Sequence, residues 1–477
     1  MPDCDLLFCG GEVIDGTGAG RVAADLAVTG DRITGLGRLN PGNAKRVVDI
    51  SGRIICPGFI DVHTHDDRVC IDEPDMRAKL SQGVTTVIVG NCGLSLAPLV
   101  CHGAPMEPLN LLGGKAEFEF ADFQSYVAAV KQARPAVNVA ALVGHSTLRI
   151  ATMADINNKA SEAELDAMSA LLEDALDAGA MGLSSGVYYP PGRAADIDEL
   201  VPLVRLTGTR QGVYATHLRD EYDRIMESME EAFTTAERGQ ASLVISHHKC
   251  AGMQNWGRTE DTLKFLDEAR KTQPIDIDCY PYTAGSSVLD PDLVDENIKI
   301  LVTWSKSYPE LGGRYLHDVA GNWNCTQRRA AERLLPGGAC YFQMCEDDVR
   351  RVLQHSASMI GSDGLPNDPR PHPRLWGTFP RVLGHYARDE ELFSLETAIH
   401  KMTGLSASCF RMPQRGTIRP GLFADLVVLD PDNIRDNATY ENPCEPATGI
   451  DYVVVNGQCV WQRGQATGHR PGRFISP

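Results

Sequence analysis

Eight apolar, strand-like runs recur through the middle of this 477-residue chain, each separated from the next by an amphipathic stretch. They read FIDVHTH, TTVIVGNCG, NVAALVGHS, MGLSSGVYY, GVYATHLR, SLVISHHK, IDIDCYPY and SMIGSDG. Between them lie segments with helical spacing, such as EAELDAMSALLEDALDAG (Glu162 to Gly179) and YDRIMESMEEAFTTAERG (Tyr222 to Gly239). Parallel strands need a crossover of a dozen or more residues, usually a helix. Eight such units point to a (β/α)8 barrel of the α/β class, expected over residues 58–414.

The two ends of the chain have a different texture. DLLFCGGEVID, DLAVTGDRITGLG and RVVDISGRIICPG at the start are short alternating runs broken by glycine turns. GLFADLVVLD and GIDYVVVNGQCVWQRG near the end read the same way. Residues 1–57 and 415–477 are therefore expected to fold together as one small discontinuous β-sandwich. The gap between the seventh and eighth barrel strands, Thr283 to Ser356, is far longer than one helix requires. It is expected to form an inserted cap over the barrel mouth.

Composition removes several function classes. A net charge of −18 argues against a nucleic-acid partner, which wants a basic face. No apolar run is long enough to span a bilayer. The start MPDCDLLFCGG lacks the basic region and long apolar core of a secretory signal. The fourteen cysteines are scattered, with no CxxC pair, so a reducing cytoplasm suits the chain better than a disulfide framework. Beyond that the charge implies solubility and poor attraction for polyanions.

Barrels of this kind build their active sites at the C-terminal ends of the strands. In FIDVHTH, His63 and His65 are two apart and share one face of a strand. Strand two ends in Asn91 and Cys92, strand five in His217, and strand six in His247, His248 and Lys249. Strand seven ends in Tyr280 and Tyr282, and strand eight in Asp363. Any one of these is explicable as a satisfied polar group. Metal-binding or titratable groups at one edge of six strands are not. Imidazole, thiolate and carboxylate suit zinc, which lowers the pKa of a bound water to about 7. Asp363 has the character of a general base that takes the water's proton and returns it to a leaving group.

With these residues in view, the chain resembles the amidohydrolase superfamily. GFIDVHTH opening the barrel, single histidines ending strands five and six, GSDG on strand eight and PGLFADLVVLD carry the resemblance. Many members with two metals place a carboxylated lysine on strand four; MGLSSGVYYPPG has none there, and VGNCG stands on strand two instead. That exchange, with SHHK, YPY and GSDGLPNDPRPHPR, looks like the D-aminoacylase family, the N-acyl-D-amino-acid deacylases. The resemblance implies zinc-dependent hydrolysis of an N-acyl-D-amino acid to a carboxylate and a free D-amino acid. It implies that Cys92, His217 and His247 hold one tight zinc, with His63 and His65 lining a weaker second position. By the same resemblance Asp363 is the catalytic carboxylate, and Tyr189 polarises the amide carbonyl. Lys249, Tyr280, Ser286 and Arg374 would take the substrate carboxylate. His248 should face away from the site in a regular strand.

Two rivals stay open at this point: a cyclic amidase of the hydantoinase or dihydroorotase kind, and a non-catalytic binding member of the fold. Within the first reading, the loop TAGSSVLDPDLVDENI (Thr283 to Ile298) bears on the substrate side chain. It has no lysine or arginine but contains Asp290, Asp292, Asp295 and Glu296. Neutral, mostly apolar D-substrates are expected over D-aspartate or D-glutamate derivatives, which would need a charged partner there.

Overall fold

The computed structural model describes residues 3–477. Its centre is a closed ring of eight parallel strands: β1 (Phe59–Asp61), β2 (Val84–Val89), β3 (Asn138–Ala141), β4 (Gly182–Gly186), β5 (Val213–His217), β6 (Ser242–Ile245), β7 (Ile275–Cys279) and β8 (Ser358–Ile360). Each pairs in parallel with its sequence neighbour. Between β3 and β4 the Met181 amide donates to the Ala141 carbonyl and Val143 bridges Leu183. The ring closes through a parallel bridge between Thr64 and Gly364. This is the (β/α)8 barrel that the alternating runs implied.

Helices between the strands cover the outer face. Glu162–Asp177, for example, starts on a capping box between Ser161 and Glu164, which satisfies amide groups the first turn leaves unpaired. The barrel interior is filled at its lower end by Ile60, Ile88, Ala140, Met181, Val213 and Met359, and Phe410 and Met412 plug it from below.

The two termini build the sandwich. One sheet has four strands, in the order Arg32–Gly37, Asp25–Thr29, Cys4–Cys9, Ala44–Asp49. In the other, Ile54–Pro57 from the N-terminal side pairs antiparallel with Leu426–Leu429 from the C-terminal side. Phe8, Leu26, Val28, Ile55, Leu426 and Val454 fill the space between the sheets. The pairing joins segments some 370 residues apart, and it sets the sandwich directly before β1.

The insertion after β7 has a core of its own. Strands Gly285–Val288, Ile300–Ser305 and Gly337–Tyr341 form an antiparallel sheet, and helices Leu316–Asn322 and Gln327–Leu334 pack on it around Ile300, Val302, Leu316 and Leu334. The helix Glu346–Gln354 that follows packs against Thr259–Ala269 and β8. It belongs to the barrel's outer ring, so the separately folded part of the insertion stops near residue 345. Among the described residues no helix is long and apolar enough to cross a membrane.

Candidate active site

Three side chains reach the centre of the barrel mouth from backbone that has left its strand in the left-handed region: Cys92 (φ 55°), His247 (φ 36°) and Asp363 (φ 48°). Such conformations cost a non-glycine residue on the order of 1–3 kcal/mol and persist where the surroundings force them. In VGNCG the forcing contacts are visible. A Cβ on Gly90 would lie 2.1 Å from the Leu142 carbonyl oxygen, and one on Gly93 would lie 2.6 Å from the Gly186 nitrogen. The turn is packed hard against the neighbouring strand ends, and Cys92 is left pointing inward.

Its sulfur lies 3.3 Å from His63 Nε2 and 3.4 Å from His247 Nε2. Donor atoms of Cys92, His217 and His247 fall within 4.8 Å of one another, and a second set, His63, His65, Cys92 and Asp363, shares the same sulfur. All six residues are buried. Burial alone would raise the Cys92 thiol, but the fields of His63 and His247 and hydrogen bonds from His217 and His247 hold it well below the usual thiol range. It is poised as a thiolate.

The far nitrogens of two of these imidazoles are anchored by carboxylates. His247 Nδ1 lies 2.9 Å from Glu221, and His63 Nδ1 lies 3.1 Å from Asp278. A carboxylate behind an imidazole sets its tautomer and turns Nε2 toward a metal. The charges agree. Four acidic groups (Cys92, Glu221, Asp278 and Asp363) converge on a site whose permanent cations are Lys249 and Arg374. The excess of two matches one divalent ion. The donor set, two imidazoles and a thiolate with room for a fourth ligand, fits zinc.

Asp363 faces His65 Nε2 at 3.2 Å and Arg374 Nη1 at 2.9 Å. Burial would raise its carboxyl, but Arg374, the His65 hydrogen bond and the charge of His63 hold it well below the usual range, in its proton-accepting form. Lys249 binds Glu221 at 2.7 Å and lies 6.0 Å from the Tyr280 ring centre, with the Arg374 guanidinium 4.7 Å from the same centre. The Ser286 hydroxyl is buried without a hydrogen-bond partner, while the Ser286 carbonyl accepts from Arg374 Nη2 at 3.3 Å. These groups line one cavity together with His65, His217, His247 and Asp363.

Both tyrosines of the YY pair touch His217, with ring centres 5.4 Å (Tyr188) and 4.8 Å (Tyr189) away. Tyr189 feels chiefly Cys92 and Asp363 after its burial, whereas Tyr188 feels Asp290 and Glu221. Tyr189 is thus the tyrosine turned to the ligand cluster. His248 faces away, its Nε2 2.9 Å from Thr262 on an outer helix. His145 is tied to Glu199 at 2.9 Å, away from the cluster.

The family model described as "Amidohydrolase family" matches residues 46–271 and 319–461. The chain belongs to the amidohydrolase family. Within it, the chain groups with the D-aminoacylases. It is 48% identical over 472 residues to a D-aminoacylase of Alcaligenes xylosoxydans xylosoxydans, covering 99% of this chain and 97% of that one. It is 46% identical to an N-acyl-D-aspartate deacylase of the same organism, covering 99% and 95%. A crystal structure of D-aminoacylase superposes with a TM-score of 0.97 at 49% identity, covering 99% of this chain and all of the other. An N-acyl-D-glutamate deacylase from Bordetella bronchiseptica, solved with zinc and a phosphonate mimic of the tetrahedral intermediate, superposes at 0.95 with 46% identity, over 99% and 100% of the two chains.

Strand-end logic missed Glu221 and Asp278. Glu221 sits four residues beyond His217 in HLRDE, and its i,i+4 spacing was the one available sign. Asp278 lies inside β7 in a run that reads as buried strand, 215 residues from His63. Lys79, the fully buried lysine nearest β1, takes no part in the ligand sets; Asp61 and Asp66 hold it at 2.7 and 3.1 Å.

Proposed function

We infer that this chain is a zinc-dependent amidohydrolase that cleaves N-acyl-D-amino acids to a carboxylate and a free D-amino acid. The observation that carries the reading is the Cys92–His217–His247 donor set against a cavity lined by Asp363 and by the cations Lys249 and Arg374. A linear substrate with a free carboxylate fits that polarity; a neutral cyclic amide leaves both cations without a third partner.

When bound by Cys92, His217 and His247, zinc supplies Lewis-acid polarisation of the carbonyl and an acidified water. His63 and His65 would flank a weaker second position that shares Cys92. Lys249 and Arg374 anchor the substrate α-carboxylate through charge-assisted hydrogen bonds, with Tyr280 and the unpartnered Ser286 hydroxyl completing the pocket. Tyr189 donates its hydroxyl proton in a hydrogen bond to the acyl oxygen as that oxygen gains charge. Asp363 takes a proton from the attacking water and passes it to the departing nitrogen.

The cavity wall supports a neutral side chain. Leu111, Leu293, Leu365 and Tyr341 line it, and its lysine and arginine are Lys249 and Arg374, both given to the α-carboxylate. A second carboxylate desolvated there would lack a partner, at a cost of several kcal/mol, or on the order of 100-fold in rate-constant ratio. The test is a panel of N-acetyl D- and L-amino acids, with a hydantoin for comparison, and zinc-loaded protein. Hydrolysis of N-acetyl-D-leucine or D-methionine ahead of N-acetyl-D-glutamate is expected. Ring opening of the hydantoin with no cleavage of the linear amides would overturn the reading, and a clear lead for the glutamate derivative would overturn the side-chain preference.

A further inference from the structure

We propose that the enzyme takes acyl groups longer than acetyl, seating a neutral hydrocarbon chain in an apolar groove between the cap and the loop that follows β4. The inference rests on the function proposed above, which sets the substrate's two ends.

The groove is open to solvent, and Pro190, Val288, Leu289, Leu293, Leu335 and Pro336 supply its apolar surface. Tyr188, Tyr189, Ser287 and Leu293 line both this groove and the catalytic cavity, so the two adjoin across these residues. The carboxylate anchors Lys249, Tyr280 and Arg374 line the catalytic cavity alone. The groove therefore opens at the Tyr189 end, where the acyl carbonyl sits, and away from the end that holds the amino acid. The amino-acid side chain branches beside the anchors and meets Tyr341 and Leu111, which line the catalytic cavity but not the groove. What emerges past Tyr189 is the substituent of the carbonyl carbon.

The chemistry of the groove selects among acyl groups. Glu107 and Asp290 lie on its wall, and Arg193, its cation, spends its Nε on the Tyr188 carbonyl at 3.2 Å. An acyl arm ending in a second carboxylate would meet two acids. A hydrocarbon arm would cover apolar surface that is otherwise wet, such as Leu335, 37% exposed at the outer rim. Full burial of a methylene is worth about 0.8 kcal/mol, close to fourfold, and a half-open groove returns about twofold.

The experiment is kcat/KM for N-acetyl-, N-hexanoyl- and N-octanoyl-D-methionine with the zinc-loaded enzyme and with Leu335→Glu. The expected result is a rise of at least tenfold from acetyl to octanoyl, and a collapse of that ratio in Leu335→Glu. Octanoate should also inhibit hydrolysis of the acetyl substrate more strongly than acetate does, a readout that needs no variant. A flat or falling series with good turnover of the acetyl substrate overturns the acyl groove and leaves the proposed function standing. No hydrolysis at any chain length overturns that function, and the groove with it.

Discussion

Replacing Glu221 by glutamine separates the carboxylate that orients a metal ligand from the ligand itself. Glu221 is 6% exposed and has three partners: His247 Nδ1 at 2.9 Å, Lys249 Nζ at 2.7 Å and His217 Nε2 at 3.8 Å. Burial would raise its carboxyl, but Lys249, His217 and His247 together hold it far below the usual range, so the change removes a full negative charge. Glutamine keeps the shape and can still accept one hydrogen bond. It no longer raises the basicity of His247 or balances the ammonium of Lys249. Loss of such an outer partner typically weakens metal binding 10- to 100-fold. At about 1.4 kcal/mol per factor of ten, that is about 1.4–2.8 kcal/mol. The assay is zinc affinity by competition with a chromophoric chelator, for wild type, Glu221→Gln and Asp278→Asn. Asp278 anchors His63 of the other ligand set through Oδ2 and accepts the His247 amide at 2.9 Å through Oδ1, an acceptor that asparagine keeps. Glu221→Gln should therefore weaken the tightest zinc, and Asp278→Asn should spare it while loosening any second ion. Wild-type affinity for the tightest zinc in Glu221→Gln, or its loss in Asp278→Asn instead, would refute this assignment of the two sets.

Asp363→Asn should keep the tight zinc and lower turnover about 10²- to 10⁴-fold, because an amide cannot accept the water's proton; metal content and kcat measured on one preparation check both halves. Tyr440, on the sandwich side of the chain, lies 3.1 Å from His372 Nε2, and His372 Nδ1 accepts from the Arg374 amide at 2.9 Å. Tyr440→Phe should raise KM about two- to tenfold with kcat nearly constant, the range of one net hydrogen bond; a fall in kcat with KM unchanged would disconnect it from the carboxylate anchor. In the barrel wall, burial would raise Glu199, but His145, Arg149 and the Ala160 amide bring it down to about 2 from an ordinary 4.5. Its folded pKa is depressed, so its stabilisation is complete above about pH 4.5 and is lost as pH falls toward 2. Glu199→Gln should lower the melting temperature at pH 7 and flatten the acid side of the stability profile; parallel profiles for the two proteins would show that the ion pair contributes nothing.

Much of this site was legible one residue at a time. His63, His65, Cys92, His217, His247 and Asp363 each stand at the end of an apolar run, and the barrel rule turns five scattered strand ends into one ring. The alternating, glycine-broken runs at both ends led to the expectation that the termini fold together, and the structure supplies the pairing of Ile54–Pro57 with Leu426–Leu429. Periodicity and residue type are local properties, and a linear chain displays them.

What tertiary structure alone decided is relational. That Cys92 is shared by two donor sets follows from its sulfur lying within 3.4 Å of both His63 and His247, 29 and 155 residues away in sequence. No local pattern carries the 2.9 Å contact of Glu221 with His247, or the 2.9 Å pairing of Arg374 with Asp363. The insertion read as one long segment, yet packing assigned Glu346–Gln354 to the barrel ring and the residues before it to a separate core. The left-handed backbone at Cys92 likewise belongs to a turn packed against the neighbouring strand ends. Local sequence sets which face of a strand or helix is apolar, whereas charge pairs and close backbone contacts exist only once distant segments share a volume.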